Sequence, residues 1–370
     1  MSYEVRFVDY PAHYRSMESE IDSAIKEVML GGDFILREHL RQFECNCASF
    51  LGVKHAIGVN SGTDALYLSL LAAGIGAGDE VITVAHTFLA TVGAIVNCRA
   101  TPVLVDVAED YNMDMAQVEA TVSPRTRAII PVHLNGRMCD MAALTDIAQR
   151  HNLAIIEDAA QAFGASFDGK KAGSFGLANC FSFYPAKMLG TAGDGGMVAT
   201  SSDEIAARLR ALRDNGRVMG QDEVVCFGFN SRLDNLHAAM LNVKLRYLPR
   251  WIERRREIAR LYDQGLSDLP QVKLPPPPDD NGPYFDVYQN YVIRCQERDR
   301  LAAHLRESGV EVLISWPIPM HRQKALALDH FHLPETERIS REVISLPCYP
   351  ELSDDKVEYV IQAVHGFYSH

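Results

Sequence analysis

A single lysine, Lys187, stands between an aromatic run at 180–184 and a turn that carries Gly190, Gly193, Gly195 and Gly196. The run mixes Cys180, Phe181, Ser182, Phe183 and Tyr184 as a buried strand does, and Pro185 stops it. The glycines permit sharp bends before a second apolar strand at 197–200. A lysine at such a strand end is partly desolvated, which lowers its pKa and makes the amine a usable nucleophile or base. That is the chemistry of a Schiff base to a carbonyl compound or to pyridoxal phosphate. The same residues also suit a glycine-rich turn with a solvated lysine, so other parts of the chain must decide.

Three further stretches offer groups that such chemistry needs. A short apolar strand at 56–59 runs into Asn60-Ser-Gly-Thr-Asp64 and then a helix at 66–73 rich in Leu and Ala. Strand, Ser-Gly-Thr turn and helix make an anion site, because free N–H groups and the positive end of the helix dipole meet there. Ser61 and Thr63 equally suit a plain N-cap. Asp158 closes a strand at 154–157, and Ala159, Ala160 and Gln161 open the turn behind it. Arg254, Arg255 and Arg256 lie together on a helix, where they suit a phosphate or, more plainly, a solvated face.

The elements that must position these groups alternate. Amphipathic helices at 14–30 and 39–51 come first, and strands follow at 79–84, 101–106, 127–132 and 154–157, with helices at 87–96 and 141–152 between them. Such βα alternation predicts an α/β fold whose mostly parallel sheet is covered by helices, with ligands at the carboxyl ends of the strands. A helix at 202–214 and a polar loop at 216–223 precede a helical pattern through Tyr247, which Pro249 kinks or breaks before helix resumes at 251–262. Pro275 to Gly282 is turn and extended chain. Strands at 287–294 and 310–315 and helices at 298–308 and 355–368 then form a smaller α+β unit. The expected division is a large domain at 1–247 and a small one at 248–370.

Bulk properties narrow the function. A chain of 370 residues buries a sizeable core, and 23% charged against 47% hydrophobic residues is an ordinary globular balance. The net charge of −12 argues against non-specific nucleic-acid binding and offers no polybasic membrane patch. No apolar run approaches the roughly 20 residues of a membrane span, and the start lacks the basic and apolar regions of a signal peptide. Eight cysteines without a CxxC suit reduced thiols, so the cytoplasm is the expected location.

Taken together, the motifs resemble the sugar aminotransferases of the DegT/DnrJ/StrS family, within the aspartate-aminotransferase fold (fold type I) of pyridoxal phosphate enzymes. The resemblance spans nearly the whole chain. It is carried by Ser61-Gly-Thr-Asp-Ala-Leu66, Gly78-Asp-Glu-Val-Ile82, Thr87-Phe-Leu-Ala-Thr91, Glu157-Asp-Ala-Ala-Gln161, Phe181-Ser-Phe-Tyr-Pro-Ala-Lys187, Gly193-Asp-Gly-Gly196, Gly228-Phe-Asn-Ser-Arg232 and Pro319-Met-His321. It implies that Lys187 holds pyridoxal phosphate covalently, that Asp158 pairs with the pyridine nitrogen, and that Phe88 stacks on the ring. Gln161 would face the phenolic oxygen, and Gly62, Thr63 and Ser182 the phosphate. Asn230 would reach the phosphate of a neighbouring subunit, which implies a homodimer with shared sites.

The activity so implied is amino transfer from L-glutamate to a nucleotide-linked keto-sugar, with Lys187 moving the proton at the donor's Cα. The Leu189-Gly190 and Gly193-Asp-Gly-Gly196 form after the lysine resembles members acting on 3-keto sugars more than those acting on 4-keto sugars. Two departures stand out: Met188 where many relatives have Asn, and Tyr288-Gln289 where many have Tyr-His. Two other readings keep the fold. One is a deoxysugar dehydratase, in which relatives replace the lysine by His, and the other is a regulatory protein without turnover.

Overall fold

The computed structural model describes residues 3–218, 220 and 222–369. Seven strands form the main sheet in the order His55–Val59, Gly196–Thr200, Ala178–Ser182, Ala154–Asp158, Thr126–Ile129, Glu80–Val84, Thr101–Val105. From Ala178–Ser182 to Thr101–Val105 every pairing is parallel, whereas Gly196–Thr200 runs antiparallel to both its neighbours. The expected α/β fold with a mostly parallel sheet is what the chain adopts.

Alternate residues of these strands enter different cores, as a sheet covered on both faces requires. Ala56, Ile82, Ile129, Ile155, Phe181 and Met197 join one core, and Ile57, Val81, Ala128, Ile156, Cys180 and Val198 the other. The helix Gly62–Ala72 lies in the second core, with Ala65, Leu66, Leu68, Ser69, Leu70 and Ala72 all buried. Being apolar on nearly every side, it is enclosed by protein, and its N-terminus is fixed against the sheet.

A second, antiparallel sheet joins Val272–Lys273, Tyr291–Cys295 and Val343–Leu346. The helices Leu248–Leu266 and Asp354–Tyr368 pack on it around Tyr262, Tyr291, Leu301 and Val360. Val5 joins this core and bridges to Val310.

Several expected boundaries shift for local reasons. The helix after the Ser-Gly-Thr turn begins at Gly62, since Ser61 is its N-cap and accepts from Asp64 N–H at 3.1 Å. Pro249 falls in the first turn of Leu248–Leu266, where its missing N–H costs nothing, so it opens a new helix after Leu245. The expected helix at 14–30 is two, Tyr10–Arg15 and Glu18–Gly31. The strand expected at 310–315 is absent. Val310 and Leu313 form only isolated bridges, and the chain then turns at Trp316, which has φ of 48°. The helix Pro334–Glu342 and the strand Val343–Leu346 have no counterpart in the sequence reading.

Candidate active site

A cavity of about 700 Å³ lies at the carboxyl ends of the parallel strands. Its wall includes Gly62, Thr63, Phe88, Asp158, Gln161, Ser182 and Lys187. Seven of the eight expected site residues therefore meet in one place. Another depression, of about 750 Å³, opens at the opposite strand ends beside Asp79, Arg127 and Phe175, without a comparable convergence of reactive groups. The first cavity is the candidate site.

Lys187 is positioned by a closed loop. Its N–H donates to Tyr184 O at 2.9 Å, and Thr191 N–H donates to Phe183 O at 2.8 Å. A Cβ on Gly190 would lie 2.3 Å from Pro185 O, so glycine is required for the loop to close. Lys244 Nζ donates to Gly190 O at 2.6 Å and ties the loop to the helix Asn235–Leu245. Lys187 is half-buried, its remaining surface turned to the cavity. Enclosure pushes the amine below the usual lysine range, and the nearby charge of Asp158 only partly opposes this.

Asp158 ends the strand Ala154–Asp158 and is 6% exposed. Its carboxylate accepts from Thr91 Oγ1 at 2.8 Å and from Ala160 N–H at 3.3 Å. Burial raises its pKa, while Thr91, Ala160 and Lys187 favour the charged form. Thr91 in turn meets Thr87 Oγ1 at 2.8 Å. The residue before Asp158 anchors the strand end: Glu157 accepts from Gly173 N–H at 2.8 Å, Phe175 N–H at 2.7 Å and His133 Nε2 at 2.9 Å. Because His133 Nδ1 accepts from Cys139 N–H at 3.2 Å, the ring's proton is on Nε2 and points at Glu157.

Opposite these groups, the helix Gly62–Ala72 presents its N-terminus to the cavity. A Cβ on Gly62 would lie 2.7 Å from Ser182 Cβ, so glycine lets this helix end press against the strand carrying Ser182. The N–H groups of Gly62 and Thr63 have no acceptor within the helix and are available to an anion. Gln161 Oε1 accepts from Asn135 N–H at 2.7 Å, which leaves its amide NH₂ as a donor. Phe88, 61% exposed, is the N-cap of Leu89–Asn97 and presents an uncovered ring at the cavity wall.

These groups fit pyridoxal phosphate in kind: an amine for its aldehyde, a carboxylate for its ring nitrogen, an amide donor for its phenolic oxygen and a helix N-terminus for its phosphate. Buried Asp158 lacks a full counter-ion, and a protonated ring nitrogen supplies one. Asn230 is the exception. It is exposed, bridges Asp214 and does not line the cavity of its own chain.

Residues outside the expected site set also shape the cavity or its surroundings. Thr91, in the first turn of Leu89–Asn97, meets the hydroxyl of Thr87, which precedes the helix. Arg255 is 6% exposed and Arg256 fully buried, which overturns the solvated arginine face. Arg255 shares the helix stripe of Trp251, Ile258 and Tyr262, and that spacing was the available signal. Met188 packs in the core, and Gln289 Nε2 donates to Ala186 O at 2.7 Å, next to the lysine.

The fold and cavity define a pyridoxal-phosphate-type aminotransferase architecture. The chain matches the DegT/DnrJ/EryC1/StrS aminotransferase family over residues 15–365 and belongs to it. It is 42% identical over 364 residues to a dTDP-3-amino-3,4,6-trideoxy-alpha-D-glucose transaminase of Streptomyces venezuelae, covering 97% of this chain and 95% of the relative. It is also 42% identical over 370 residues to a "pleiotropic regulatory protein" of Geobacillus stearothermophilus, covering 99% of each. A UDP-N-acetyl-3-dehydro-alpha-D-glucosamine 3-aminotransferase of Acidithiobacillus ferrooxidans is 40% identical, with 97% of each chain covered. Among solved structures, S. venezuelae DesV in complex with a ketimine intermediate superposes with a TM-score of 0.95 at 40% identity, covering 100% of this chain and 99% of that one. Bacillus subtilis NtdA with bound cofactor PMP gives 0.90 at 30% identity, covering 98% and 83%. The expected family and fold class are borne out.

Proposed function

We propose that this chain is a pyridoxal-phosphate-dependent aminotransferase that carries an amino group from L-glutamate to the 3-position of a nucleotide-linked 3-keto sugar. The observation that supports it most is the meeting of Lys187, Asp158 and the N-terminus of Gly62–Ala72 in one cavity. The 3-position is supported by the 3-amino-sugar transaminases among the relatives, the Streptomyces and Acidithiobacillus enzymes included. When bound, the cofactor supplies a ring that withdraws electrons from the substrate carbon. Lys187, as a neutral amine, would take the proton from the donor's Cα and return one on the reverse path, and burial, which lowers its pKa, favours that neutral form. Asp158, held by Thr91, maintains the charge that makes the ring electron-accepting. Phe88, exposed at the cavity wall, would lie against one face of the bound ring and exclude water from it.

As part of the same reading, Asn230 of the partner subunit completes the phosphate site, the chain divides after residue 247, and the enzyme works in the cytoplasm. Among the described residues no helix is long and apolar enough to cross a membrane. The test is an assay of the purified holoenzyme with L-glutamate and a panel of dTDP-, UDP- and GDP-linked 3-keto and 4-keto sugars, with 2-oxoglutarate release as readout. The expected result is turnover on a 3-keto sugar that Lys187→Ala abolishes along with the visible absorbance of the bound cofactor. Full turnover by Lys187→Ala would refute the assignment. Failure of every donor in the half-reaction would leave the regulatory reading that the Geobacillus relative's name suggests.

A further inference from the structure

From Phe183 to Thr191 the chain is neither helix nor strand, so no regular ladder of hydrogen bonds aims Lys187. Two backbone bonds close the stretch, Lys187 N–H to Tyr184 O at 2.9 Å and Thr191 N–H to Phe183 O at 2.8 Å. Beyond them, side chains from elsewhere hold it. Gln289 Nε2 donates to Ala186 O at 2.7 Å on one side of the lysine, and Lys244 Nζ donates to Gly190 O at 2.6 Å on the other. Among the described residues no other donor reaches either carbonyl. Thr191 adds no anchor of its own, since its Oγ1 is buried without a partner.

Lys244 is well placed to act on this stretch. It stands in the last turn of Asn235–Leu245, and Met240, Leu241 and Val243 of that helix share a core with Met188 and Leu189. Lys244 is half-buried and does not line the cavity. Glu351, the acid whose field reaches it, is itself paired with His13 at 2.8 Å. Enclosure lowers the amine's pKa to about 8, which leaves the ammonium form in the majority at neutral pH and makes the bond to Gly190 O charge-assisted. Movement at Gly190 does not stay local. A Cβ there would lie 2.3 Å from Pro185 O, so the two backbones are in contact, and a shift of Gly190 displaces the segment that carries Lys187.

We propose that Lys244 is a positioning residue for Lys187, its hold on Gly190 O fixing the loop so that the Lys187 amine meets the reacting carbon in the orientation for proton transfer. The proposal rests on the aminotransferase reading and adds to it the group that aims the base. Because Lys244 does not reach the cavity of its own chain, it acts there through the backbone alone. A reacting group misplaced by about 1 Å loses about 100-fold in rate, whereas a substrate held by other residues binds as before. Gln289 shares the task but also lines the cavity, so Lys244 is the residue that isolates it.

The test follows the cofactor spectrum of the holoenzyme during the half-reaction with L-glutamate. Lys244→Met keeps the apolar stem and removes the ammonium. The expected result is a fall of about 100-fold in the rate constant, with KM within about threefold of wild type and partial recovery in Lys244→Arg. A residue that only supports the fold would lower the rate in any background, so Lys244→Met is also combined with Lys187→Ala, in which added methylamine serves as the base. There it should have no effect, because no lysine is left to aim. An equal loss with and without Lys187 overturns the proposal, as does a Lys244→Met rate within about threefold of wild type. In the cofactor-free protein, hydrogen exchange read by mass spectrometry should speed up over 184–191 in Lys244→Met and stay unchanged in the second core; unaltered exchange at 184–191 also overturns it. If Lys244→Met fails to fold, the same readings are taken on Lys244→Gln, whose shorter arm falls short of Gly190 O. Absence of a half-reaction in the unsubstituted enzyme would fail the aminotransferase reading itself, a result kept distinct because the exchange measurement needs no turnover.

Discussion

Replacing Asp158 by Asn separates the chemistry of this site from its fold. Thr91 Oγ1 and Ala160 N–H donate to different oxygens of the carboxylate, Oδ2 and Oδ1, and an amide keeps only one of those positions as an acceptor. Thr91 has an escape, because Thr87 Oγ1 lies 2.8 Å away and can accept its proton. Thr91 then receives from the introduced NH₂, while the amide oxygen keeps Ala160 N–H. Every partner is retained, and a buried charge whose pKa is raised by desolvation is removed. The cofactor-free protein should therefore change in stability by less than about 1 kcal/mol at neutral pH.

The holoenzyme should respond differently. Removing one member of a buried ion pair costs about 3–5 kcal/mol, or roughly 10²- to 10⁴-fold when it is expressed in the rate. Single-turnover absorbance with L-glutamate measures the rate, and urea unfolding of the cofactor-free protein measures the stability. An Asp158→Asn protein that folds normally, binds the cofactor and reacts within tenfold of wild type would refute the pairing of Asp158 with the ring nitrogen.

Other substitutions test the remaining parts. Gly62→Ala places a methyl 2.7 Å from Ser182 Cβ, so it should cost about 1–3 kcal/mol in denaturant unfolding and weaken cofactor binding in a fluorescence titration. Lys187 has a depressed pKa in the folded chain, so its contribution to stability is present above the unfolded value of about 10.4 and is lost as pH falls through the folded value. Lys187→Met should accordingly raise the melting temperature of the cofactor-free protein at pH 7 but not near pH 11, as measured by calorimetry. Lys187→Ala and Asn230→Ala subunits, each impaired alone, should regain activity when unfolded and refolded together, since one mixed site then carries both residues. No gain on mixing would remove Asn230 from the partner's site.

The parts that were legible in the sequence are those whose pattern and chemistry coincide locally. Gly62, Thr63, Asp158, Ser182 and Lys187 each follow or end a strand, and a parallel sheet delivers its strand ends to one place. Arg255 was not legible, because three consecutive arginines read as surface unless the apolar stripe Trp251, Ile258 and Tyr262 is followed through them. The strand expected at 310–315 has the right residues, but only isolated bridges form there and its end turns into the cavity wall at Trp316. That outcome is set by tertiary contacts, which override β propensity.

The cavity is lined by residues of both cores, and the reactive pair sits at the ends of the large sheet's strands. Lys187 loses affinity for its proton through enclosure, Asp158 gains affinity for one by the same cause, and each partly offsets the other. That pair belongs to the large sheet and suits the cofactor's ring. Arg255 enters from the second core, its Nη1 held by the backbone carbonyls of Tyr288, Gln289 and Cys348, and burial lowers its pKa.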